Sequence, residues 1–418
     1  MRIDDKPESE QAATCTPRRW LSIIGLGEDG LDALSPTARL LIERAEVVIG
    51  GSRHLELVRG AIRGKAWPWP SPISEAWRQL EKMRGRSVVV LASGDPFFYG
   101  IGTQIAALFP DDETLCLPQP SSFSLAAARL RWSLQDTALV TLHGRPLEGV
   151  VRYLQPGARI LALSWDGETP GKLAALLSAR GMGASEIAVL EALGGPRERI
   201  RRTRAADFSL SHIDPLNLVA IEVSAEAGAK AIGLASGLDD ALFEHDGQLT
   251  KREIRAVTLS SLAPRQGELL WDIGLGAGSV AIEWLLRHRS MRAIGIEERG
   301  DRAERAARNA AALGAPDLRI VTGKAPAAFE DLDSPDVVFI GGGLNDPGVF
   351  EAAWAALKSG GRLVANAVSL ESEAMLIGLA GKFGGDLVRL GIERAEPLGG
   401  MTAWKPALPI VHWRVSKP

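Results

Sequence analysis

The sequence predicts an α/β protein of more than one domain, in which the C-terminal domain is doubly wound and Rossmann-like. Apolar runs of strand length alternate with amphipathic helical segments, as in parallel sheets covered by helices. Two of these runs end in glycine loops, Gly25–Gly30 and Gly274–Gly278. The chain has 418 residues, and because domains contain about 100–200 residues, it suits two or three of them.

In the first half, apolar runs followed by turn residues predict strands. Trp20–Ile24 leads into Gly25–Gly30, and Ser87–Leu91 leads into Ser93–Pro96. The first loop matches the G-x-G-x-x-G string of NAD-binding folds, which would make the chain an NAD-dependent oxidoreductase. Such a fold needs an acid at the end of its second strand, but Glu46–Gly51 ends in glycines. The NAD interpretation is therefore the weaker one.

The second half contains the most informative motif. Leu269–Ile273 is a buried-strand pattern that runs into Gly274–Gly278 and the start of a helix. Glu297 ends the next strand, about 20 residues past the loop, where an acid takes ribose hydroxyls. Because the spacing is G-x-G-x-G led by Asp272, we interpret it as an S-adenosylmethionine site. A tight turn with a chance acid is the alternative.

Three further strands are predicted at the intervals that a doubly wound sheet needs. They are Leu318–Thr322, Pro335–Gly343 and Arg362–Ala367. The second is nearly all apolar, as a strand covered on both faces must be. The third carries Asn366 at its carboxyl end, and ligands in such sheets collect at those ends.

Motifs in both halves carry a family resemblance. Residues from about Trp20 to Val223 resemble the tetrapyrrole (corrin/porphyrin) methyltransferase family, through the motifs Gly25–Gly30, Ser93–Pro96, Pro120–Ser122 and Leu142–Arg145. Residues from about Asp246 onward resemble the class I methyltransferases of cobalamin synthesis, through Leu249–Arg255 and the Asp272 loop. The order and pairing of these motifs are more specific than any one of them.

The resemblance implies a bifunctional, decarboxylating precorrin methyltransferase with one S-adenosylmethionine per domain. The implied substrate is precorrin-6B and the implied product precorrin-8X. The N-terminal domain would methylate carbon 5, and the C-terminal domain would methylate carbon 15 and remove the ring C acetate carboxyl group. A methyltransferase acting on RNA or protein is the nearer rival, and a non-catalytic S-adenosylmethionine sensor is a further one.

The resemblance also assigns site residues. In the C-terminal domain, the expected cofactor-binding residues are Thr250, Asp272, Gly274, Leu275, Gly276, Ala277, Gly278, Glu297 and Ala325. In the N-terminal domain they are Gly94, Asp95, Ser121 and Ser122. Asp95, His143 and Arg145 are the catalytic candidates, although an Asp before Pro also stabilises turns. In the loop Gly25–Gly30, Glu28-Asp29 stands where the family more often has Pro-Gly. Binding of the tetrapyrrole, in place of the cofactor, is therefore an alternative role for this loop.

The many carboxylates of a precorrin call for cations. The densest basic run is Pro196–Arg204, which we expect to be mainly a solvated surface segment, since charge runs usually are. No metal site is predicted, because the six His have no pair at ligand spacing. Methyl transfer from a sulfonium is an in-line displacement that depends on positioning.

The predicted domains are a two-lobed tetrapyrrole methyltransferase domain at 17–224, with lobes 17–118 and 119–224, a linker at 225–244, and a class I methyltransferase domain at 245–418. A net charge of −3 does not indicate a nucleic-acid partner. Two cysteines, no signal peptide and no apolar run of about 18 residues predict a cytoplasmic protein without a membrane span. The family resemblance further implies a homo-oligomer, with a tetramer as one expected form.

Overall fold

The computed structural model describes residues 19–418, which fold as two compact units. Unit 1 contains the described residues up to His143 together with Ala158–Ser224. Unit 2 contains Gly144–Gly157 and Ala225–Pro418. Between residues 19 and 418, no helix is long and apolar enough to cross a membrane.

The first lobe of unit 1 is a five-stranded sheet in the order β3-β2-β4-β1-β5, and all of its pairings are parallel. Its strands are β1 (Leu21–Leu26), β2 (Val47–Gly50), β3 (Lys65–Pro68), β4 (Val88–Ser93) and β5 (Thr114–Leu117). Its helices are α1 (Pro36–Arg44), α2 (Ser52–Leu57), α3 (Ser74–Glu81) and α4 (Gly102–Ala106). Because the central strands are covered on both faces, β1 is buried along its whole length.

The second lobe is a mixed five-stranded sheet in the order β6-β7-β10-β8-β9, in which only the β6–β7 pairing is parallel. Helix α5 (Ser122–Leu130) leads into it, and Ser121 caps that helix by accepting from the Ser124 N–H at 3.2 Å. The remaining elements are β6 (Thr137–Thr141), β7 (Arg159–Leu163), α6 (Thr169–Ala179), β8 (Glu186–Glu191), β9 (Arg199–Arg204) and β10 (Asn217–Glu222).

Unit 2 is built on a seven-stranded sheet in the order β13-β12-β11-β14-β15-β19-β16. Its strands are β11 (Leu269–Ile273), β12 (Arg292–Glu297), β13 (Arg319–Thr322), β14 (Val337–Ile340), β15 (Arg362–Ala367), β16 (Asp386–Leu390) and β19 (Ile410–Ser416). Its helices are α7 (Arg252–Leu262), α8 (Ser279–Leu286), α9 (Gly300–Ala312), α10 (Val349–Ala356) and α11 (Leu370–Phe383). The order of the parallel strands reverses between β11 and β14, so the carboxyl ends of those two strands frame the crevice where such sheets bind ligands.

Three further segments of unit 2 lie outside this sheet. Among residues 19–418, the strands β17 (Glu393–Leu398) and β18 (Met401–Pro406) pair only with each other, as an exposed hairpin. The residues predicted as a linker, 225–244, cluster with unit 2, where Leu238 and Phe243 are buried. The 3-10 segment Leu147–Tyr153 also belongs to this unit.

Candidate active site

The glycine loop of unit 2 follows β11 and begins α8. Gly274 has a φ of +76°, and a Cβ there would lie 2.7 Å from the Gly342 nitrogen. Glycine is needed on both counts, because an L side chain disfavours this φ and has no room. The loops after β11 and β14 therefore meet at the point where the strand order reverses.

Glu297 ends β12 and holds this loop. One carboxylate oxygen accepts the Gly276 N–H at 2.8 Å, and the other accepts the Arg299 N–H at 3.0 Å. The side chain is buried, yet it lines the cavity described below. Each carboxylate oxygen has more than one lone pair, so Glu297 can also accept from a ligand hydroxyl.

Asp272 lies beneath the same loop and is fully buried. Its Oδ2 accepts the Ala281 N–H from the first turns of α8 at 3.0 Å. Burial raises the pKa of Asp272 to about 7; the hydrogen bond from Ala281 opposes this shift and the Glu297 carboxylate adds to it. This carboxyl group therefore changes its charge near neutral pH.

A cavity of about 450 Å³ opens over these residues, within the range of about 300–1,000 Å³ that small-ligand sites occupy. Of the residues predicted from sequence, it is lined by Thr250, Asp272, Gly274, Leu275, Gly276, Ala277, Glu297 and Ala325. Gly278 is not part of this lining; it has a φ of +79°, and a Cβ there would lie 3.2 Å from that of Ala306. A glycine cradle, a carboxylate at the strand end and a cavity of this size fit S-adenosylmethionine.

Other residues of the lining come from distant parts of the chain, and sequence reasoning did not assign them to the site. They include Lys251, Asp346, Ile392, Arg394 and Leu408. Arg394, at the start of the hairpin, forms an ion pair with Glu253 in α7. The sequence offers little to place these residues at the cavity. The position of Asn366 at a strand end is the one sequence feature that indicated this part of the lining.

The loops predicted for unit 1 also converge. A Cβ on Gly25, near the carboxyl end of β1, would lie 1.9 Å from the Gly94 oxygen, so the end of β1 and the loop after β4 are in direct contact. The Gln119 N–H donates to the Gly94 carbonyl at 3.1 Å, which brings in the segment before Ser121 and Ser122. Asp95 accepts the Phe97 N–H at 2.9 Å, as in a turn.

A charged cluster that the sequence did not indicate lies beside these loops. Glu28 pairs with Arg53 and with Arg197, and Arg197 also pairs with Asp214. His54 contacts the Ser93 hydroxyl at 2.9 Å. Burial and, to a smaller extent, the charge of Arg53 lower the pKa of His54 to about 4, so this ring is neutral at pH 7. The cluster brings two arginines to a loop that was expected to meet a polycarboxylate.

The remaining catalytic candidates lie on the surface. His143 is exposed, its ring centroid is 5.9 Å from that of Trp165, and it belongs to unit 1. Arg145 is exposed and belongs to unit 2. Among the described residues, no three His, Cys, Asp or Glu side chains are grouped to hold a metal ion.

Known proteins resemble the chain along nearly its whole length. Residues 21–209 match the family profile of the tetrapyrrole (corrin/porphyrin) methylases, and residues 241–417 match that of a precorrin methyltransferase domain. A precorrin-6Y C(5,15)-methyltransferase [decarboxylating] of Sinorhizobium sp is 54% identical over 398 residues, which are 95% of this chain and 96% of the relative.

The chain belongs to the precorrin-6Y C5,15-methyltransferase (decarboxylating) family.

Members of this family are methyltransferases, and two shorter proteins resemble parts of the present member. A cobalt-precorrin-7 C(5)-methyltransferase of Salmonella typhimurium is 32% identical over 43% of this chain and 88% of its own length. A probable cobalt-precorrin-6B C(15)-methyltransferase (decarboxylating) of Saccharolobus solfataricus is 37% identical over 32% of this chain and 71% of its own length. The predicted α/β fold, the enzyme class and the use of S-adenosylmethionine by this precorrin-6Y methyltransferase family member are thereby confirmed.

Proposed function

We propose that the chain methylates precorrin-6B at carbons 5 and 15 and removes the carboxyl group of the ring C acetate, giving precorrin-8X. Unit 1 methylates carbon 5, and unit 2 methylates carbon 15 and decarboxylates, each with its own S-adenosylmethionine. The observation that carries this proposal is the pairing of two different methyltransferase families in one chain that matches a decarboxylating C(5,15)-methyltransferase over 96% of its length.

In unit 2, the residues that would hold the cofactor are the loop Gly274–Gly278, Glu297, Thr250 and Ala325. S-adenosylmethionine, when bound, supplies a methyl group on a sulfonium. Gly274 leaves space for a close ligand, and Glu297 has lone pairs for ribose hydroxyls. The buried Leu275 and Ile296, which also line the cavity, exclude water from it. These residues serve methyl transfer by positioning, which is the main need of an in-line displacement.

In unit 1, Gly94, Asp95, Ser121 and Ser122 are the proposed cofactor residues. Their loops meet at the carboxyl ends of β1, β4 and β5, where parallel sheets take up ligands. Arg53 and Arg197 lie beside them and offer charge-assisted hydrogen bonds to substrate carboxylates.

The test is an anaerobic incubation of the purified full chain with S-adenosylmethionine and precorrin-6B, followed by mass spectrometry. The expected product has gained two methyl groups and lost one carbon dioxide. A gain of one methyl group only, or no change in mass, would contradict the bifunctional reaction.

Two glycine variants separate the units. Gly274→Ala places a Cβ against Gly342 and is expected to abolish carbon dioxide release. Gly25→Ala places a Cβ against the Gly94 oxygen and is expected to yield a product with one methyl group gained and one carbon dioxide lost. Gly300→Ala and Gly60→Ala are the matched controls, since a Cβ at either position meets no atom closer than 3.8 Å. Carbon dioxide release by Gly274→Ala at the normal rate would overturn the assignment of that step to unit 2.

A further inference from the structure

Asn366 is a polar residue of the unit 2 cavity that no cofactor role uses. It stands one residue before the carboxyl end of β15, and its half-buried side chain lines the cavity. Two apolar residues of the lining lie near it, Val368 in sequence and Ile410 in the adjacent strand β19. This part of the cavity is therefore open to a ligand other than the one that the glycine loop holds.

A hydrogen-bond network behind the cavity fixes the Asn366 amide. Asn366 is paired with His412 across the antiparallel strands β15 and β19. The amide oxygen lies 2.7 Å from His412 Nδ1, and the amide nitrogen donates to the Thr258 hydroxyl at 3.0 Å. His412 Nε2 lies 2.8 Å from the Ser261 hydroxyl. Thr258 and Ser261 are three residues apart on α7 and so share one face of that helix.

The direction of each hydrogen bond follows from the chemistry of the groups. An amide oxygen only accepts, so His412 donates from Nδ1. Burial lowers the pKa of His412, and the nearby Arg414 lowers it further, so the ring is neutral. A neutral ring with its proton on Nδ1 accepts at Nε2, which makes Ser261 the donor there.

This network uses only one of the two amide N–H groups of Asn366. A primary amide has two N–H groups. Within the described chain, Thr258 takes one of them, and no other group accepts from the amide nitrogen. The reversed amide would need His412 to carry its proton on Nε2 and the Thr258 hydroxyl to donate, so the orientation of the amide depends on the His412 tautomer.

We propose that Asn366 binds the acetate carboxylate that the substrate loses as carbon dioxide, and that His412 is the positioning residue which keeps its N–H directed to the cavity. This inference rests on the proposed function of unit 2. It adds to that function Asn366 as a substrate-binding residue and His412 as a residue that acts through Asn366.

A neutral donor suits a carboxylate that must leave. A lysine or arginine would stabilise the charged ground state, whereas the charge is dispersed in the transition state, so a cation would slow the step. An amide N–H orients the carboxylate with a weaker hold. The half-buried Ile410 of the adjacent strand adds apolar surface to this part of the cavity lining.

The decarboxylation balances without a further reagent. The bond between the acetate methylene and the carboxyl carbon breaks, and its electron pair enters the conjugated macrocycle. Carbon dioxide leaves, and the methylene carbon takes a proton from water to become a methyl group. Asn366 gives up no proton in this step.

The experiment measures carbon dioxide release and methyl gain by the full chain with precorrin-6B, and in parallel the affinity for S-adenosylmethionine. At precorrin-6B concentrations below saturation, Asn366→Ala is expected to slow carbon dioxide release about 10- to 100-fold, the worth of a hydrogen bond to a charged group, while cofactor affinity stays within about twofold. Asn366→Asp keeps the shape but puts an anion against the substrate carboxylate, so it is expected to be slower still.

His412 is tested with a matched pair of variants of similar size. His412→Asn keeps a donor near the Nδ1 position, and it is expected to release carbon dioxide within about threefold of the unaltered chain. His412→Leu lacks the donor and is expected to resemble Asn366→Ala. A merely structural role would make both variants fail alike.

Several results would overturn the inference. They are an unchanged rate in Asn366→Ala, a faster rate in Asn366→Asp than in Asn366→Ala, weakened cofactor binding in Asn366→Ala, and equal rates in the two His412 variants. If the unaltered chain releases no carbon dioxide from precorrin-6B, the proposed function of unit 2 fails instead, so the two failures are distinguishable.

Discussion

At the scale of single residues, the buried Asp272 is a titratable group beneath the proposed cofactor site of unit 2. Burial raises the pKa of its carboxyl group to about 7, against about 3.9 in an unfolded chain. The folded state therefore holds a proton between these values, and the stability that this proton contributes is lost as the pH rises towards 7. A cationic cofactor above the loop favours the ionised form.

We therefore predict that S-adenosylmethionine binds to unit 2 more tightly as the pH rises from 6 to 8, by up to about tenfold, because about a tenth of Asp272 is ionised one unit below its pKa. Binding near pH 7 should release a proton. Calorimetry in buffers of different ionisation enthalpy measures both quantities. Asp272→Asn is the control, and a pH dependence that persists in it would assign the effect to another group.

Glu297 provides a second prediction, because it holds the loop and is the proposed ribose ligand. Glu297→Ala should reduce the cofactor stoichiometry of the full chain from the proposed two towards one, since the Gly276 and Arg299 N–H groups lose their acceptor. Glu297→Gln retains an acceptor oxygen and should bind with intermediate affinity. Equilibrium dialysis gives the stoichiometry, and a value of two at unchanged affinity in Glu297→Ala would exclude the ribose contact.

Residue-scale prediction from sequence is most direct where the partners are close along the chain. The Asp272 loop and Glu297 line one cavity, as the fixed spacings of a βα turn and the next strand end predict, and their role in cofactor binding stays a prediction. Asn366 was noticed at a strand end, but its partner His412 was not, because antiparallel pairing joins residues 46 apart. One sequence carries no signal for that register.

At the scale of elements, a buried ion pair joins α7 to α8 and binds Gly237 and Leu238, which precede α7 in the chain. Arg255 and Glu283 are both fully buried, with Arg255 Nε 2.6 Å from the carboxylate. Glu283 also accepts the N–H groups of Gly237 and Leu238 at 2.8 and 2.9 Å. Arg255 in turn donates to the Thr250 carbonyl, so the pair also supports a residue of the cavity.

We predict that Arg255→Met destabilises unit 2 by about 3–5 kcal/mol, because it leaves the Glu283 charge buried without a partner. Urea unfolding followed by the fluorescence of its buried tryptophans measures this change. Arg308→Met is the matched control, since it breaks an exposed pair with Glu244 and should cost no more than about 1 kcal/mol. Equal losses of unfolding free energy in Arg255→Met and Arg308→Met would mean that burial of the Arg255–Glu283 pair does not increase the cost of breaking it.

The basic run Pro196–Arg204 shows where element prediction from sequence reached its limit. We expected a solvated surface segment; Arg199–Arg204 is the edge strand β9, whose residues are all exposed or half-buried. Arg199 and Arg201 both bind the buried Glu191 of β8, with nitrogen–oxygen distances of 2.7 to 3.2 Å. The run is dense in arginine partly because the neighbouring strand buries a carboxylate, and that requirement is visible only after the strands pair.

At the scale of the whole molecule, the order of the two methyltransferase families along the chain was predictable, because each family has its own spaced motifs. Contiguity was not. Gly144–Gly157 clusters with unit 2 although its neighbours on both sides belong to unit 1. Within unit 2, Arg152 of this segment donates to the Gly314 carbonyl at 3.0 Å. A contact between residues 162 positions apart leaves no periodic pattern in a sequence, so the domain limits 17–224 and 245–418 stay predictions.

The hairpin β17–β18 is the feature of unit 2 that best supports the proposed homo-oligomer. Both strands lack a partner on their outer edges within the described chain, and unpaired edges recruit further strands. Met401 and Trp404 are 76% and 70% exposed, with Leu398 and Leu408 also on the surface. Apolar residues grouped in this way mark interaction surfaces, and a second copy of the chain offers the same edge and the same apolar side chains.

We therefore predict that the double variant Met401→Lys/Trp404→Lys lowers the mass of the assembly, because lysines on an edge oppose strand pairing and do not bury well. Light scattering coupled to size exclusion measures that mass. Leu234→Lys is the control, since Leu234 is 79% exposed and lies outside the hairpin. An unchanged mass in the double variant would place the interface elsewhere, whereas an unaltered chain that runs as a single copy would refute the oligomer itself.

Arg394 of this hairpin pairs with Glu253 and lines the cavity. Dissociation of the oligomer should therefore also weaken substrate binding while leaving cofactor affinity within about twofold, which would link assembly to substrate binding in unit 2.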